Sequence, residues 1–163
     1  MKSYEEKKKE SFFTLVSCGY YSGKHFVYSS DIPVFVASGT DDPDVKREAD
    51  LLGISPWVKE IRGAPLRQKG CSKEAVLRMI LEEQRVNGEQ LLVAGDGKVE
   101  IELGASVGAV TLGIASEEKA LHGKCNANKK QKLLQAGADY ILPDFRMAAE
   151  LFDTETAGGE KAL

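Results

Sequence analysis

No run in the sequence approaches the roughly 20 consecutive apolar residues that a membrane span requires, so no membrane partner is expected. Cysteine is scarce. Cys18, Cys71 and Cys125 are odd in number and share no close spacing, which excludes a disulfide framework and a zinc knuckle and fits ordinary thiols in a reducing, cytoplasmic setting. An excess of charge of one sign is missing as well: 22 Lys and Arg face 25 Asp and Glu, and a net charge of −3 gives no field to draw in nucleic acid or an anionic membrane. The expected partner is a small molecule. Internal repeats are absent, and the single low-complexity stretch is the Lys/Glu-rich start, Met1 to Glu10. The apolar run after it, Phe12 to Val16, is short for the core of an export signal and follows three glutamates, so an exported lipoprotein is not the expected reading.

With 163 residues and 42 % hydrophobic content, the chain is sized for one domain with one sizeable core. From Pro33 onward, short β-rich apolar runs alternate with amphipathic helical stretches, the pattern of βαβ units and a parallel sheet. Val34 to Ala37 predicts a strand buried on both faces and ending in Ser38-Gly39-Thr40. Asp42 is the expected N-cap of the next helix, with Pro43 at its first position, a stripe of Val45, Ala49 and Leu52, and Gly53 as its stop. Trp57 to Ile61 predicts a second strand, and Ser72 a cap for a helix that buries Val76, Leu77, Ile80 and Leu81 and ends at Gly88. Leu91 to Ala94 predicts a buried strand that breaks at Gly95-Asp96-Gly97 before helical turns at Val99 to Leu103. Ala109 to Ala115 and Asp139 to Leu142 complete the strands, with a helix over Asn128 to Ala136 stopped by Gly137. The reading is therefore an α/β fold, a three-layer Rossmann-like parallel sheet with helices on both faces. Residues 1–32 form a divergent N-terminal segment, strand-like or a cap remnant; 33–152 form the core, and 153–163 a flexible tail.

Ligands of open α/β sheets sit outside the carboxyl ends of the strands, where helix N-termini and free backbone N–H groups converge. Ser38-Gly39-Thr40 and Gly95-Asp96-Gly97 both fall at such ends, so a hydroxyl, glycine-freed amides and a carboxylate face one crevice, a set suited to phosphate and a hard cation. Each has a plainer reading. Ser38 can simply end a strand, Thr40 or Asp41 can cap a helix, Asp96 can be a turn residue, and Glu100 can be a solvated first-turn glutamate favoured by the helix dipole. Lys73 is less ordinary, because a cation in a first turn opposes that dipole. Lys129, Lys130 and Lys132 read as a solvated helix face, and His25 and His122 as surface or loop residues.

Together, the order and spacing of these residues resemble the haloacid dehalogenase superfamily of magnesium-dependent phosphatases, over Pro33 to Phe145, about two thirds of the chain. Val34-Phe35-Val36-Ala37-Ser38 matches that family's second motif, Lys73 its third, and Gly95-Asp96-Gly97-Lys98-Val99-Glu100 its fourth, with Lys69 competing for the third. The stretches Gly108 to Ile114 and Ala136 to Phe145 resemble the family's last two strands. The resemblance implies that Ser38, Gly39, Thr40 and Lys73 hold a phosphoryl group, with Ser38 and Lys73 serving catalysis. It further implies that Asp96 and Glu100 hold Mg²⁺, Glu100 directly or through water.

The family's first motif, Asp-x-Asp-Gly at the end of a buried strand, has no counterpart. Its nearest stand-in is Phe13-Thr14-Leu15-Val16-Ser17-Cys18-Gly19, which puts Val16 and Cys18 at the two aspartate positions. Valine offers no nucleophile and a lone thiol is a poor Mg²⁺ ligand. Three readings follow: a phosphatase-type chain nearly without turnover, a non-catalytic phosphate or nucleotide-binding module, or half of a split enzyme. The last would complete its central strand from another chain, unless the local Phe12 to Val16 segment fills that gap.

Overall fold

The computed structural model of the protein describes residues 13–16, 33–65, 73–117 and 123–148. Strands β1 (Phe13–Val16), β2 (Val34–Asp41), β3 (Glu60–Ala64), β4 (Leu91–Gly95), β5 (Val110–Ile114) and β6 (Tyr140–Leu142) form one sheet in the order β3-β2-β1-β4-β5-β6. Every neighbouring pair is parallel. The connections carry helices α1 (Asp42–Leu51), α2 (Lys73–Gln84), α3 (Lys98–Ser106) and α4 (Ala127–Gln135). Lys69, Ser72, His25, His122, Cys18, Cys71 and the tail 153–163 lie outside the described residues. Among those described, no helix is long and apolar enough to cross a membrane.

The sheet is buried on both faces, so its central strands read as continuous apolar runs rather than alternating ones. On one face Phe35, Ala37, Leu91 and Val93 pack with Val76, Leu77 and Ile80 of α2. Ile101 of α3, Leu133 of α4 and Ala115 extend that layer. On the other face Val34, Leu92, Ala94, Leu112 and Ile114 meet Phe145 and Ala148. The step from β2 out to β3 runs opposite to the step from β4 to β5, so a right-handed crossover puts α1 on this second face.

The sheet extends into the first 32 residues: β1 lies between β2 and β4, with Val16 level with Val36 on one side and Ala94 on the other. The local segment fills the central gap. Strand order reverses around β1, which makes the crevice above β1 and β4 the topological switch point where such sheets place ligands.

Several boundaries differ from the sequence reading, each for a local reason. Asp41, not Asp42, is the N-cap residue of α1, and it makes no capping bond. The Asp42 carboxylate instead accepts from the Gly63 N–H at 2.9 Å and from Lys46 Nζ at 2.6 Å, tying α1 to β3. A side chain at Gly63 would fall 2.5 Å from the Asp42 Cα, so this approach requires glycine. Trp57 closes a 3-10 turn, Ser55–Trp57, and the strand starts only at Glu60. Leu52 leaves the α1 stripe and is 38 % exposed, while Val45 and Ala49 are buried. Helix α2 ends at Gln84, and Arg85 takes the left-handed conformation expected of a glycine, φ 55°. Gly88 serves a different purpose: a Cβ there would overlap the Val107 carbonyl.

Helix α3 comes down on β4 and β5 through Gly104, where a Cβ would sit 2.8 Å from Thr111 Cγ2 and 2.9 Å from Val93 Cβ. Gly104→Ala gains about 0.5–1 kcal/mol of helix propensity, but both obstructing residues are β-branched and cannot swing away. The expected net is a loss of about 1–2 kcal/mol, read as a lower urea midpoint. Asp42 supplies a second test. Burial raises its pKa, but the Gly63 N–H bond and the charges of Lys46 and Arg62 outweigh burial and hold the carboxyl below its ordinary value. A depressed pKa stabilises the fold above the unfolded-state value and loses that contribution as pH falls through the folded-state value. The stability gap between wild type and Asp42→Ala should therefore be full at neutral pH and narrow below about pH 4, as followed by denaturation at several pH values.

Candidate functional site

Four chain segments meet at the carboxyl rim of the sheet. The end of β2 supplies Ser38-Gly39-Thr40, the first turn of α2 supplies Lys73, and the β4–α3 turn supplies Asp96 and Glu100. The fourth segment, the start of α4, was not anticipated. Ser38 is half-buried, and its Oγ accepts from the Thr40 N–H at 3.1 Å within the irregular stretch of β2 between Ala37 and Asp41. Thr40 and Gly39 are exposed, and a Cβ on Gly39 would touch Lys73 Cγ at 3.6 Å, so the strand end lies along the lysine stem.

Lys73 Nζ forms an ion pair with Glu100 Oε1. Glu100 is not the solvated first-turn glutamate of the plainest reading: it is 8 % exposed. Its side chain folds back beneath the Gly95-Asp96-Gly97 turn, where a Cβ at Gly95 would lie 2.8 Å from Glu100 Cβ and one at Gly97 2.3 Å from Glu100 Oε2. Gly95 is thus required by the close approach of the Glu100 Cβ, and a side chain at Gly97 would have to push the Glu100 carboxylate aside. In register, Ser38 and Asp96 each lie two residues past the positions paired with Val16. The structure therefore brings Gly39, Lys73, Glu100 and the Asp96 turn together at one rim.

Asp96 does not join Glu100 directly. Its Oδ2 receives Lys129 Nζ at 3.0 Å, and the same ammonium lies 3.5 Å from Ser116 Oγ. Lys129, read from sequence as part of a solvated face, is inside the site, whereas Lys130 and Lys132 are exposed as expected. The loop after β5 sets this up. Ser116 bridges Cys125, the Asn126 N–H donates to the Ala115 carbonyl at 2.8 Å, and Asn126 Oδ1 caps the Lys129 N–H at 2.9 Å. Lys129 is the third residue of α4, a cation opposing the helix dipole. A first-turn cation is thus as unusual at Lys129 as at Lys73, and in the sequence it is masked by its exposed neighbours Lys130 and Lys132.

Among the described residues, no group of three or more His, Cys, Asp or Glu side chains is arranged to hold a metal ion. An open groove of about 350 Å³, lined in part by Lys46, Ser55, Lys59 and Glu60, lies at the opposite rim, where β3 begins.

No protein-family model matches the sequence, and no curated protein matches it either. Solved structures do. A haloacid dehalogenase-like hydrolase from Streptococcus pneumoniae superposes with a TM-score of 0.63 at 21 % identity, over 78 % of this chain and 57 % of that one. This chain has a haloacid-dehalogenase-type core fold. A predicted phosphatase from Clostridium acetobutylicum shares that core with a TM-score of 0.66 at 18 % identity, over 81 % of this chain and 59 % of that one. The isolated core domain of a phosphoglycolate phosphatase candidate from Streptococcus pneumoniae TIGR4 is matched over 96 % of its length and 77 % of this chain, with a TM-score of 0.52 at 13 % identity. The chain thus spans less than two thirds of the first two structures but nearly all of an isolated haloacid-dehalogenase-type core.

The buried Glu100 carboxylate sets the local energetics. Removing Lys73 leaves that charge without the lysine's compensation, whereas removing both charges does not. Lys73→Met should cost about 1–3 kcal/mol in chemical denaturation, and Lys73→Met combined with Glu100→Gln should recover most of it.

Proposed function

We propose that this rim is a phosphatase-type site for a small phosphorylated molecule, in a chain with little or no turnover of its own. In this reading Ser38, Gly39, Thr40 and Lys73 receive the phosphoryl oxygens, and Asp96 and Glu100 receive Mg²⁺. The observation that carries it is the Lys73–Glu100 pair: it joins the β2 end, the α2 start and the Asp96 turn, the three places the family motifs occupy.

The residues present fit Mg²⁺. They offer two hard carboxylates, and Mg²⁺ commonly takes only one or two carboxylates, filling the rest of its octahedron with water and phosphate oxygens. When bound, the metal supplies neutralisation of charge on the phosphoryl group. This chain's own residues do the remainder. Ser38 Oγ and the Gly39 and Thr40 backbone orient the group, Lys73 shares its ammonium between Glu100 and the incoming anion, and the buried Glu100 holds Lys73 in place. The ordinary thiols are consistent with action in the cytoplasm.

Turnover is a different matter. The last residue of β1 is Val16, and in the sequence Val16 and Cys18 stand where the family has its aspartate pair. Phosphate monoesters are so inert that enzymes accelerate them by up to about 10²¹, and loss of a nucleophile has cost roughly 10⁶ elsewhere. An aspartate pair supplied by another chain would have to displace β1 from between β2 and β4. The absence of the aspartates favours a second reading, a non-catalytic module that binds phosphate or a nucleotide.

With a generic aryl phosphate and Mg²⁺, the expected rate is the buffer background for both wild type and Asp96→Asn. Strong turnover that disappears in Asp96→Asn would overturn the inactivity. Titration calorimetry with inorganic phosphate should show binding that Lys73→Met weakens; no binding at millimolar phosphate removes the module reading.

A further inference from the structure

The geometry points to Lys129 as a built-in competitor for the divalent cation at Asp96, an internal ammonium that holds the carboxylate until a metal displaces or crowds it. This inference rests on the reading of Asp96 as a cation ligand. Four observations support it. Lys129 Nζ sits 3.0 Å from Asp96 Oδ2, the sole partner of that carboxylate among the described residues. The lysine is partly buried, with its side chain 22 % exposed against 37 % for Asp96, so solvent screens the pair less than it screens an ordinary surface pair. Its backbone is fixed by the Asn126 cap, and Asn126 is anchored in turn by Glu117, whose Oε2 accepts from Asn126 Nδ2 at 2.9 Å. Ser116 Oγ lies 3.5 Å away as a further oxygen on which the ammonium can rest.

A helix N-terminus disfavours a cation, so Lys129 stays where it is because Asp96 compensates it. The same arithmetic works in reverse. A divalent ion on Asp96 must either share the carboxylate with an ammonium of like sign or drive that ammonium off. Either course lowers apparent metal affinity, and removing the ammonium should raise it. Lys73 differs: its carboxylate is Glu100, buried under the glycine turn, so the two lysines act on different oxygens of the site.

The test is a calorimetric titration of the full chain with MgCl₂, comparing wild type, Lys129→Met, Lys129→Arg, Asp96→Asn, and Lys129→Met combined with Asp96→Asn. Lys129→Met should tighten Mg²⁺ binding on the order of tenfold, the scale of losing one adjacent like charge. Lys129→Arg keeps the charge and should stay near wild type, and the gain should vanish when Asp96→Asn is added. If wild type binds Mg²⁺ through Asp96 and Lys129→Met leaves the affinity unchanged or weaker, the competitor role is overturned while the cation reading stands. If neither wild type nor Lys129→Met binds Mg²⁺ at millimolar concentration, both fall together. A thermal melt checks each variant, and Lys129→Gln replaces the methionine variant if that one does not fold.

Discussion

A buried carboxylate held beneath a glycine turn is the constraint around which this rim is organised. Glu100 packs closely under Gly95 and Gly97, and its charge is compensated by Lys73 across the crevice. Moving any of these parts exposes or strands a charge in a poorly solvated place, which is expensive. The β2 end is held against the stem of Lys73, and the Asp96 turn is held above Glu100. The positions of Gly39 and Asp96 relative to one another therefore follow from one ion pair and two glycines.

Much of the architecture could be read directly from residue patterns, because strands buried on both faces announce themselves as continuous apolar runs and the helices between them carry clear stripes. Val34 to Ala37, Leu91 to Ala94 and the Val76, Leu77, Ile80 face all lie where the patterns put them. Helix ends were harder. Asp42 looked like a cap and instead accepts a bond from Gly63, a partner 21 residues away; Arg85 took a conformation for which Gly88 was the obvious candidate. Both depend on tertiary approach, which local preference does not encode. The same limit applied to the site. The residues of the β2, α2 and β4 loops were visible as residue types at strand ends, but the burial of Glu100 depends on how α3 lies against the turn. The reach of Lys129 depends on a cap and a bridge in the loop after β5. Without those contacts in view, three lysines in four positions look like solvent.

The two sides of the crevice differ in kind. On the side of β2, α2 and α3 the groups are present, ordered and mutually compensated. On the side of β1 the strand ends at Val16, which has neither a nucleophile nor a metal-binding atom. A central strand contributes pairing and packing whatever chemistry its end carries. The apolar sequence of β1 suffices for that.

The place of β1 also bears on how the chain reaches its folded state. Phe13–Val16 pairs with β2 on one side and, on the other, with Leu91–Ala94, which lies far later in the chain. Its second edge stays open until β4 has been synthesised and docked, so assembly waits on closure of a long loop, the kind of non-local pairing that slows folding and leaves apolar edges exposed meanwhile. A centre of the sheet that closes late makes this a chain for which protection during synthesis counts for more than its modest size suggests.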